Sequence, residues 1–371
     1  MDCERIVTPP HHLVNVTRHA MSEAIAGLTH GAPLLLAVSG GSDSMAMAKT
    51  AAFIGPKHGV DLHAICVDHK IRPESAREAQ YVAHTLGQWG VDVHIAEVDL
   101  AGNDGPEGNA RVARYGAIAQ QARLLGDSHP APVFLGHTLN DQAETVMLGF
   151  GRGSGAKSIA GMPKTGQLPL HSDVPMVRPF LGLTRDQLRT VCNELGVTWV
   201  DDPSNELDGP WKCADGTSLR RSAVRHQILP QLQNVLGPGT VEAIGRTASM
   251  LQEDNQALEF YARAEYDRVC FSSEPVTIDC LVLADVPQAV RRRVLKYALE
   301  ESGVRGGELV YWHIARLDKL VTERKNNCGL DLPGVRAWRD SHQLRFEPGA
   351  QSRHRLHFQS NPVAQAPMED T

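Results

Sequence analysis

Leu34-Leu35-Leu36-Ala37-Val38-Ser39-Gly40-Gly41-Ser42-Asp43-Ser44-Met45-Ala46-Met47-Ala48-Lys49-Thr50-Ala51-Ala52-Phe53 is the stretch that decides the fold. Its first five residues are continuously apolar and strand-sized, the pattern of a strand buried on both faces. They run straight into residues 39–44, after which 45–54 reads as a helix. The glycine pair permits positive φ and lets backbone N–H groups approach an oxyanion with no Cβ in the way. A helix start adds unpaired N–H groups and the positive end of the peptide dipole. Ser39, Ser42 and Ser44 add hydroxyl donors. Asp43 would repel an anion directly, so it makes sense capping the loop or holding a Mg²⁺ that bridges phosphates. A glycine turn with a Ser/Asp cap is the plainer alternative. Six residues of the right type at one strand–helix junction outweigh it. No Lys follows the second glycine, so this is not a Walker A loop.

Outward from the loop, residues 62–68 and 91–98 read as strands and 133–136 as a shorter one. Helices are expected over 75–89 and 109–125 between them. Strands alternating with helices imply an α/β fold, a doubly wound parallel sheet covered on both faces and reaching to about Leu229. Residues 101–108 and 206–219 read as loop inserts. Residues 151–158 (GRGSGAKS) imitate a phosphate loop, but Ala156 stands where the last glycine must be. Past Gly237 the texture changes to a smaller, mainly helical C-terminal domain. A long helix is expected over 240–269. A second, amphipathic one carries Val286, Val290, Val294, Leu295 and Leu299, with Arg291, Arg292, Arg293 and Lys296 on or beside its outer side. Residues 330–332, 335–338 and 343–346 suggest a small strand–turn–strand close. The expected divisions are an N-terminal extension and lead-in helix over 1–30, the α/β domain over 31–232, the helical domain over 233–347, and a tail over 348–371.

The chain has 371 residues, 42% of them hydrophobic and 22% charged, which excludes bulk disorder and suggests two or three domains. The longest near-apolar run, residues 32–38, is far short of a membrane span. No secretory signal is visible. Seven cysteines, scattered and without a C-x-x-C pair, point away from a disulfide framework or a structural zinc site and towards a cytoplasmic protein. The formal charge of −6 gives no support to non-specific nucleic-acid binding and leaves room for a local basic face.

Residues 39–44 match the SGGxDS signature of the PP-loop ATP pyrophosphatases. Further blocks follow in order: Val67-Asp68-His69 with residues 71–76, Asn109-Ala110-Arg111-Val112-Ala113-Arg114-Tyr115, and Gly136-His137-Thr138-Leu139-Asn140-Asp141-Gln142-Ala143-Glu144-Thr145. Arg178-Pro179, residues 202–205, and Arg221 with Arg225-His226 complete the set. Together they resemble the tRNA(Ile)-lysidine synthetases, well over 34–232 and more loosely beyond. That resemblance implies a PP-loop domain with one or two smaller C-terminal domains. It implies ATP and Mg²⁺ as cofactors, and L-lysine and tRNA(Ile) with a CAU anticodon as substrates. ATP would adenylate the C2 oxygen of the wobble cytidine, and lysine would then displace AMP to give lysidine. A homodimer is compatible with the sequence and not required by it; no membrane partner is expected.

The residues suit that chemistry. Asp141 and Glu144 lie i,i+3 on an expected helix, so both carboxylates can face one site and bind the lysine amine, with His137 orienting one or relaying a proton. An ordinary helix start, with Asp141 capping and Glu144 solvated, is the competing account. Arg111 and Arg114, also i,i+3, can pair in a fork with phosphate or with lysine's carboxylate. Asp68 and His69 end a strand, where open α/β sheets place ligands. The expected site is therefore Asp43, His137, Asp141, Glu144 and Arg114 for catalysis. Ser39, Gly40, Gly41, Ser42, Asp43, Ser44, Asp68, His69 and Arg111 would bind the cofactor, with Asp43 on the metal. Arg220, Arg221, Arg225, His226 and the Arg291 cluster are candidate phosphate contacts for tRNA. Trp199, Trp211 and Trp312 are candidate stacking groups, with packing as the alternative.

Three positions depart from the family pattern: Asn140 replaces the first Asp of a usual pair, Ser222 an Asn, and Ala223 a basic residue. Among alternatives, a PP-loop tRNA thiolase would ordinarily need cysteine pairs, which the sequence lacks. A glutamine-dependent synthetase would need an amidotransferase domain, for which the residues before Leu34 are too few. A catalytically silent tRNA-binding protein on the same scaffold would not need Asp43 in an intact loop.

Overall fold

The computed structural model describes residues 12–348 except 71, 73, 101–104, 154, 204–205, 208, 210–211, 213–216, 305–308 and 324–326. Trp211 and the tail from 349 onward, both named above, lie outside the described residues. The chain divides into two compact units, Met1–Asp254 and Asn255–Thr371.

In the first unit the order is α1 (His12–Ile25), β1 (Pro33–Ala37), α2 (Ser42–His58), β2 (Asp61–Asp68), α3 (Ser75–Gln88), β3 (Asp92–Glu97), α4 (Gly105–Leu125), β4 (Val133–Leu135) and α5 (Leu139–Arg152). There follow α6 (Ala156–Ile159), β5 (Thr165–Leu168), β6 (His171–Val177), α7 (Arg185–Glu194), α8 (Arg220–Ala223), a π-helical turn (Val224–Ile228), α9 (Leu229–Leu236) and α10 (Thr240–Val269). The sheet order is β3-β2-β1-β4-β6-β5, parallel except for the edge strand β5. Leu34, Leu35 and Leu36 are all fully buried, as a central strand requires. Leu34 and Leu36 pack in one core with Met21 of α1, Met45 and Met47 of α2, Val82 of α3 and Leu188 of α7. Leu35 joins the opposite core with Tyr115, Ile118 and Ala122 of α4. The sheet is doubly wound, as the sequence implied. Strand order reverses at β1, between β2 and β4, which opens a crevice at the carboxyl ends of β1 and β4.

Two differences from the sequence reading are local. Residues 105–108 are helical, so α4 starts inside what reads as a glycine-rich insert; the glycines there begin a helix instead of interrupting one. Strands β5 and β6 went unread because their polar residues and Pro175 hide the period. β5 is the edge strand, where polar residues meet solvent, and Pro175 of the neighbouring β6 precedes the residues, Met176 and Val177, that pair with β4.

The second unit contains the C-terminal part of α10, then β7 (Cys270–Ser273), β8 (Val276–Asp279), α11 (Cys280–Ala284), α12 (Gln288–Glu301), α13 (Tyr311–Thr322), β9 (Cys328–Leu332), β10 (Val335–Asp340) and β11 (Gln343–Pro348). The terminal strands expected from sequence belong to a five-stranded antiparallel sheet of order β7-β8-β11-β10-β9. Val294, Leu295, Ala298 and Leu299 of α12 and Leu317 and Val321 of α13 pack on its Ile278, Ala337, Leu344 and Phe346.

The basic cluster of α12 needs correction. Arg291 is buried, not outward, and its Nε donates to Asp318, while its Nη1 donates to the carbonyls of Ala284 and Val286 at 3.2 and 2.7 Å. Arg292 takes the other Asp318 oxygen at 3.0 Å, Arg293 donates to Asn255 at 2.8 Å, and Lys296 pairs with Glu300 at 3.5 Å. Desolvating a guanidinium is favourable only with such partners, so the three arginines hold α12 to its neighbours, while the Lys296–Glu300 pair lies within α12 itself. Among the described residues, no helix is long and apolar enough to cross a membrane.

Candidate active site

The loop after β1 has the geometry its residues suggested. Gly40 adopts φ +87°, and a Cβ there would come within 3.0 Å of Val82. The Val200 N–H donates to the Gly40 carbonyl at 2.9 Å. Ser44 Oγ accepts from the Ser39 N–H at 3.2 Å and donates to the Gly41 carbonyl at 2.9 Å, closing the loop on itself. Gly41 caps α2 without a side chain, so the helix start carries no side-chain oxygen in its anion-binding position. Gly136, at the end of β4, lies so near that a Cβ would be 3.0 Å from Ser44 Cα. Loop and crevice therefore meet backbone to backbone.

Three carboxylates and three guanidiniums alternate beside it. Asp43 accepts from Ser42 Oγ at 3.1 Å and from Arg185 Nε at 3.2 Å. Arg185 Nη2 reaches Asp141 at 3.5 Å, so one side chain bridges the two acids. Asp141 also completes the capping box of α5: its Oδ2 accepts from the Thr138 N–H and hydroxyl, both at 2.8 Å. Glu144, one turn on, is fully buried. Arg221 Nε donates to its Oε2 at 2.7 Å, and Arg225 Nε to its Oε1 at 2.6 Å. Burial raises the Asp43 carboxyl and Asp141 adds to this, against the pull of Arg185. Burial would raise Asp141 as well, but Arg221, Arg185 and the Thr138 N–H outweigh it and hold that carboxyl well below the usual range.

Asp141 thus caps its helix and faces the site at once, while Glu144 is enclosed, not solvated. Arg221 and Arg225, expected to reach outward to tRNA phosphates, turn inward to Glu144 and Asp141. Arg220 and His226 are exposed. Asn140 has a definite role: its Oδ1 accepts from the backbone N–H of Arg185 at 2.9 Å, tying the start of α7 to α5. Arg185 was missed by sequence reasoning. Its only local signal is the capping box of Thr184 and Gln187, which fixes where α7 begins.

His137 accepts from Arg178 Nε through Nδ1 at 2.9 Å. Its remaining proton is therefore on Nε2, and burial, Arg178, Arg221 and Arg114 push its pKa down to about 3. It is a neutral donor. Arg178, noted in the sequence only as part of the resemblance and given no role there, is buried, and burial with the field of Arg111 lowers it to about 10. Arg111 and Arg114 are exposed, lie 4.9 and 5.3 Å from the Tyr115 ring centroid, and have no acidic partner among the described residues. The field of Arg114 reaches both His69 and His137, which places it on the same crevice. Asp68 ends β2 and accepts from the Lys70 N–H at 2.8 Å and Ser75 Oγ at 2.6 Å, a turn-forming role. The buried Nδ1 of His69 has no hydrogen-bond partner, and burial and Arg114 lower its pKa. Trp199 donates to Asp201 at 3.2 Å and packs on the core, the structural alternative.

Among the described residues, no group of three His, Cys, Asp or Glu side chains could hold a metal ion alone. Asp43 and Asp141 nevertheless aim oxygens at one cation, Arg185. Two carboxylates completed by phosphate oxygens and water are the donor set that Mg²⁺ ordinarily takes, so the residues fit that ion.

A family model described as a PP-loop domain matches residues 14–232, and one described as a TilS substrate binding domain matches 279–344. A tRNA(Ile)-lysidine synthase of Thermobifida fusca is 38% identical over 334 residues, covering 89% of this chain and 95% of that protein. One from Leifsonia xyli is 39% identical over 327 residues, covering 86% and 91%. Among solved structures, the U34-tRNA thiolase NcsA of Methanococcus maripaludis superposes with a TM-score of 0.53 at 19% identity, covering 68% of this chain and 88% of that one. At that identity the likeness shows the fold.

Proposed function

The chain belongs to the tRNA(Ile)-lysidine synthase family of PP-loop proteins, and from that premise we propose that it joins free L-lysine to the wobble cytidine of the CAU anticodon of tRNA(Ile) at the expense of ATP. The observation that carries this is the closed loop 39–44 with its uncapped helix start, set beside alternating acids and arginines at the carboxyl ends of β1 and β4. Residues 31–232 would do the chemistry and residues 233–347 would hold tRNA.

In the first step the C2 oxygen of cytosine bonds to the α-phosphorus, the bond to the β-phosphate oxygen breaks, and pyrophosphate leaves. Loop N–H groups and the hydroxyls of Ser39, Ser42 and Ser44 bind the phosphates as charge gathers on the leaving group. Asp43, with Asp141 beside it, would hold Mg²⁺, which would supply further positive charge there. Arg111 and Arg114 present free forks to phosphate or to lysine's carboxylate. In the second step the lysine ε-ammonium gives a proton to solvent water, the free amine bonds to C2, and AMP leaves with the oxygen and the bonding pair. Asp141, held ionised, binds the ammonium form but is a weak base. Neutral His137 donates through Nε2 to an oxygen and does not accept the proton. Glu144 positions Arg221 and Arg225.

The test incubates the protein with ATP, Mg²⁺, labelled lysine and tRNA(Ile) transcript, beside Asp43→Ala and a methionine tRNA with the same anticodon. Label entering only tRNA(Ile), and lost in Asp43→Ala, is the expected result. AMP without label would indicate another nucleophile, and tRNA binding without either product would indicate a silent binding protein.

A further inference from the structure

The outward face of α13 carries a pattern that a merely solvated helix does not need. Trp312 is 70% exposed and Tyr311 58%, their rings meeting edge to face at 5.3 Å and 77°. In such a pair each ring keeps a face open, and that of Tyr311 lies 5.4 Å from the Arg292 guanidinium carbon. Arg316 and Lys319 follow Trp312 at i+4 and i+7, both exposed and neither with an acidic partner among the described residues. At about 100° and 1.5 Å per residue the three share a sector about 60° wide and about 10 Å long. The one acid of α13, Asp318, is buried and neutralised by Arg291 and Arg292, with Gln288 donating to it as well. The outer face thus combines an open π surface with two unneutralised cations.

Exposed indole is unfavourable in water, and a purely apolar partner would not call for the adjacent cations. Unpaired nucleotides need both: a flat group on which a base can stack, and cations for the phosphates on either side. Resting on the tRNA reading above, we propose that this face of α13 stacks an unpaired base of the tRNA on Trp312 and pairs neighbouring phosphates with Arg316 and Lys319. This turns outward the role first sought in the Arg291 cluster of α12, whose cations are taken up internally.

The experiment titrates labelled tRNA(Ile) transcript with the full chain over a range of KCl, and measures lysine incorporation in parallel. Trp312→Leu should weaken binding about five- to hundred-fold, and Trp312→Phe should retain most of it. Arg316→Gln with Lys319→Gln should lower the slope of log K against log salt by about 1.4. KM for tRNA should rise in each weakened variant, with kcat at saturating tRNA unchanged. Unaltered affinity, slope and KM in a wild-type background that does modify tRNA would overturn the inference and leave the catalytic reading intact. Wild-type chain that binds tRNA through this face but incorporates no lysine would overturn only the catalytic reading. Loss of self-association on sedimentation, with tRNA affinity unchanged, would make the face a contact between copies and overturn the inference.

Discussion

Replacing His137 by Asn tests the electrostatics of the crevice directly. In the folded chain the ring accepts from Arg178 at 2.9 Å, and burial together with the nearby guanidiniums lowers its pKa to about 3. Unfolded, it titrates near the ordinary value of about 6.5. Between those limits the unfolded chain binds a proton that the folded chain does not. Stability therefore rises with pH across the window and falls as the solution is acidified below about 6.5. The limiting slope is about 1.4 kcal/mol per pH unit, so going from pH 7 to pH 5 costs about 2 kcal/mol through this one ring. Asn can offer Oδ1 where Nδ1 stands, keeping the acceptor for Arg178, but it does not titrate. Urea unfolding of both proteins from pH 5 to 7.5, followed on the transition of the first unit, should give curves parallel near pH 7 and diverging below it. Wild type should lose about 2 kcal/mol more by pH 5. His69 and the other groups that His137 does not touch contribute equally to both curves, and Asp141, whose charge interacts with the ring, is held ionised well below this window. Parallel curves over the whole range would mean that the folded ring titrates normally, which would refute its assignment as a neutral donor.

Glu144→Gln keeps the shape but leaves Arg221 and Arg225 facing an amide, and should destabilise the first unit by about 2–4 kcal/mol, less than a fully enclosed pair because both arginines are partly open to water. Scanning calorimetry should show that loss as a drop of several degrees in its Tm; an unchanged Tm would contradict the anchoring role. Gly136→Ala pushes a methyl group to 3.0 Å from Ser44 Cα, a backbone contact with no side chain to swing away. ATP-dependent AMP formation should fall about 10- to 100-fold in a variant that still folds by circular dichroism. Arg339→Met in β10 removes the buried donor to the Leu320 and Val321 carbonyls at 2.6 and 2.7 Å, which end α13. It should destabilise the second unit by about 2–4 kcal/mol, read from its own unfolding transition.

What the sequence made legible was local. A strand buried on both faces writes itself as a run of leucines, and a phosphate loop must place glycine and serine at fixed offsets from it, so β1, the loop and α2 could be read together. The spacing of Asp141 and Glu144 also showed that they share a helix face. The partners of those acids were not legible. Arg185 meets Asp43 from 142 residues away, and Arg221 meets Glu144 from 77 away, through folding alone. A period calculation cannot distinguish such arginines from a solvated basic face. The same limit explains Arg291: it lies beside the apolar stripe of α12 and is turned inward by Asp318, an acid on another helix. Strands β7 and β8, four residues each, are too short to show alternation before their partners assemble.

The loop closed by Ser44, pinned by the Val200 N–H and approached by Gly136 has a thermodynamic consequence. Backbone already fixed on three sides has little conformational freedom left to surrender when an anion arrives. Ordering a flexible residue commonly costs about 1–2 kcal/mol, and folding has met that cost at residues 39–44 in advance. Triphosphate and pyrophosphate should then meet the same rigid cradle. Exchange of one for the other would be governed by their charge and their cations, with no refolding of the loop between turnovers.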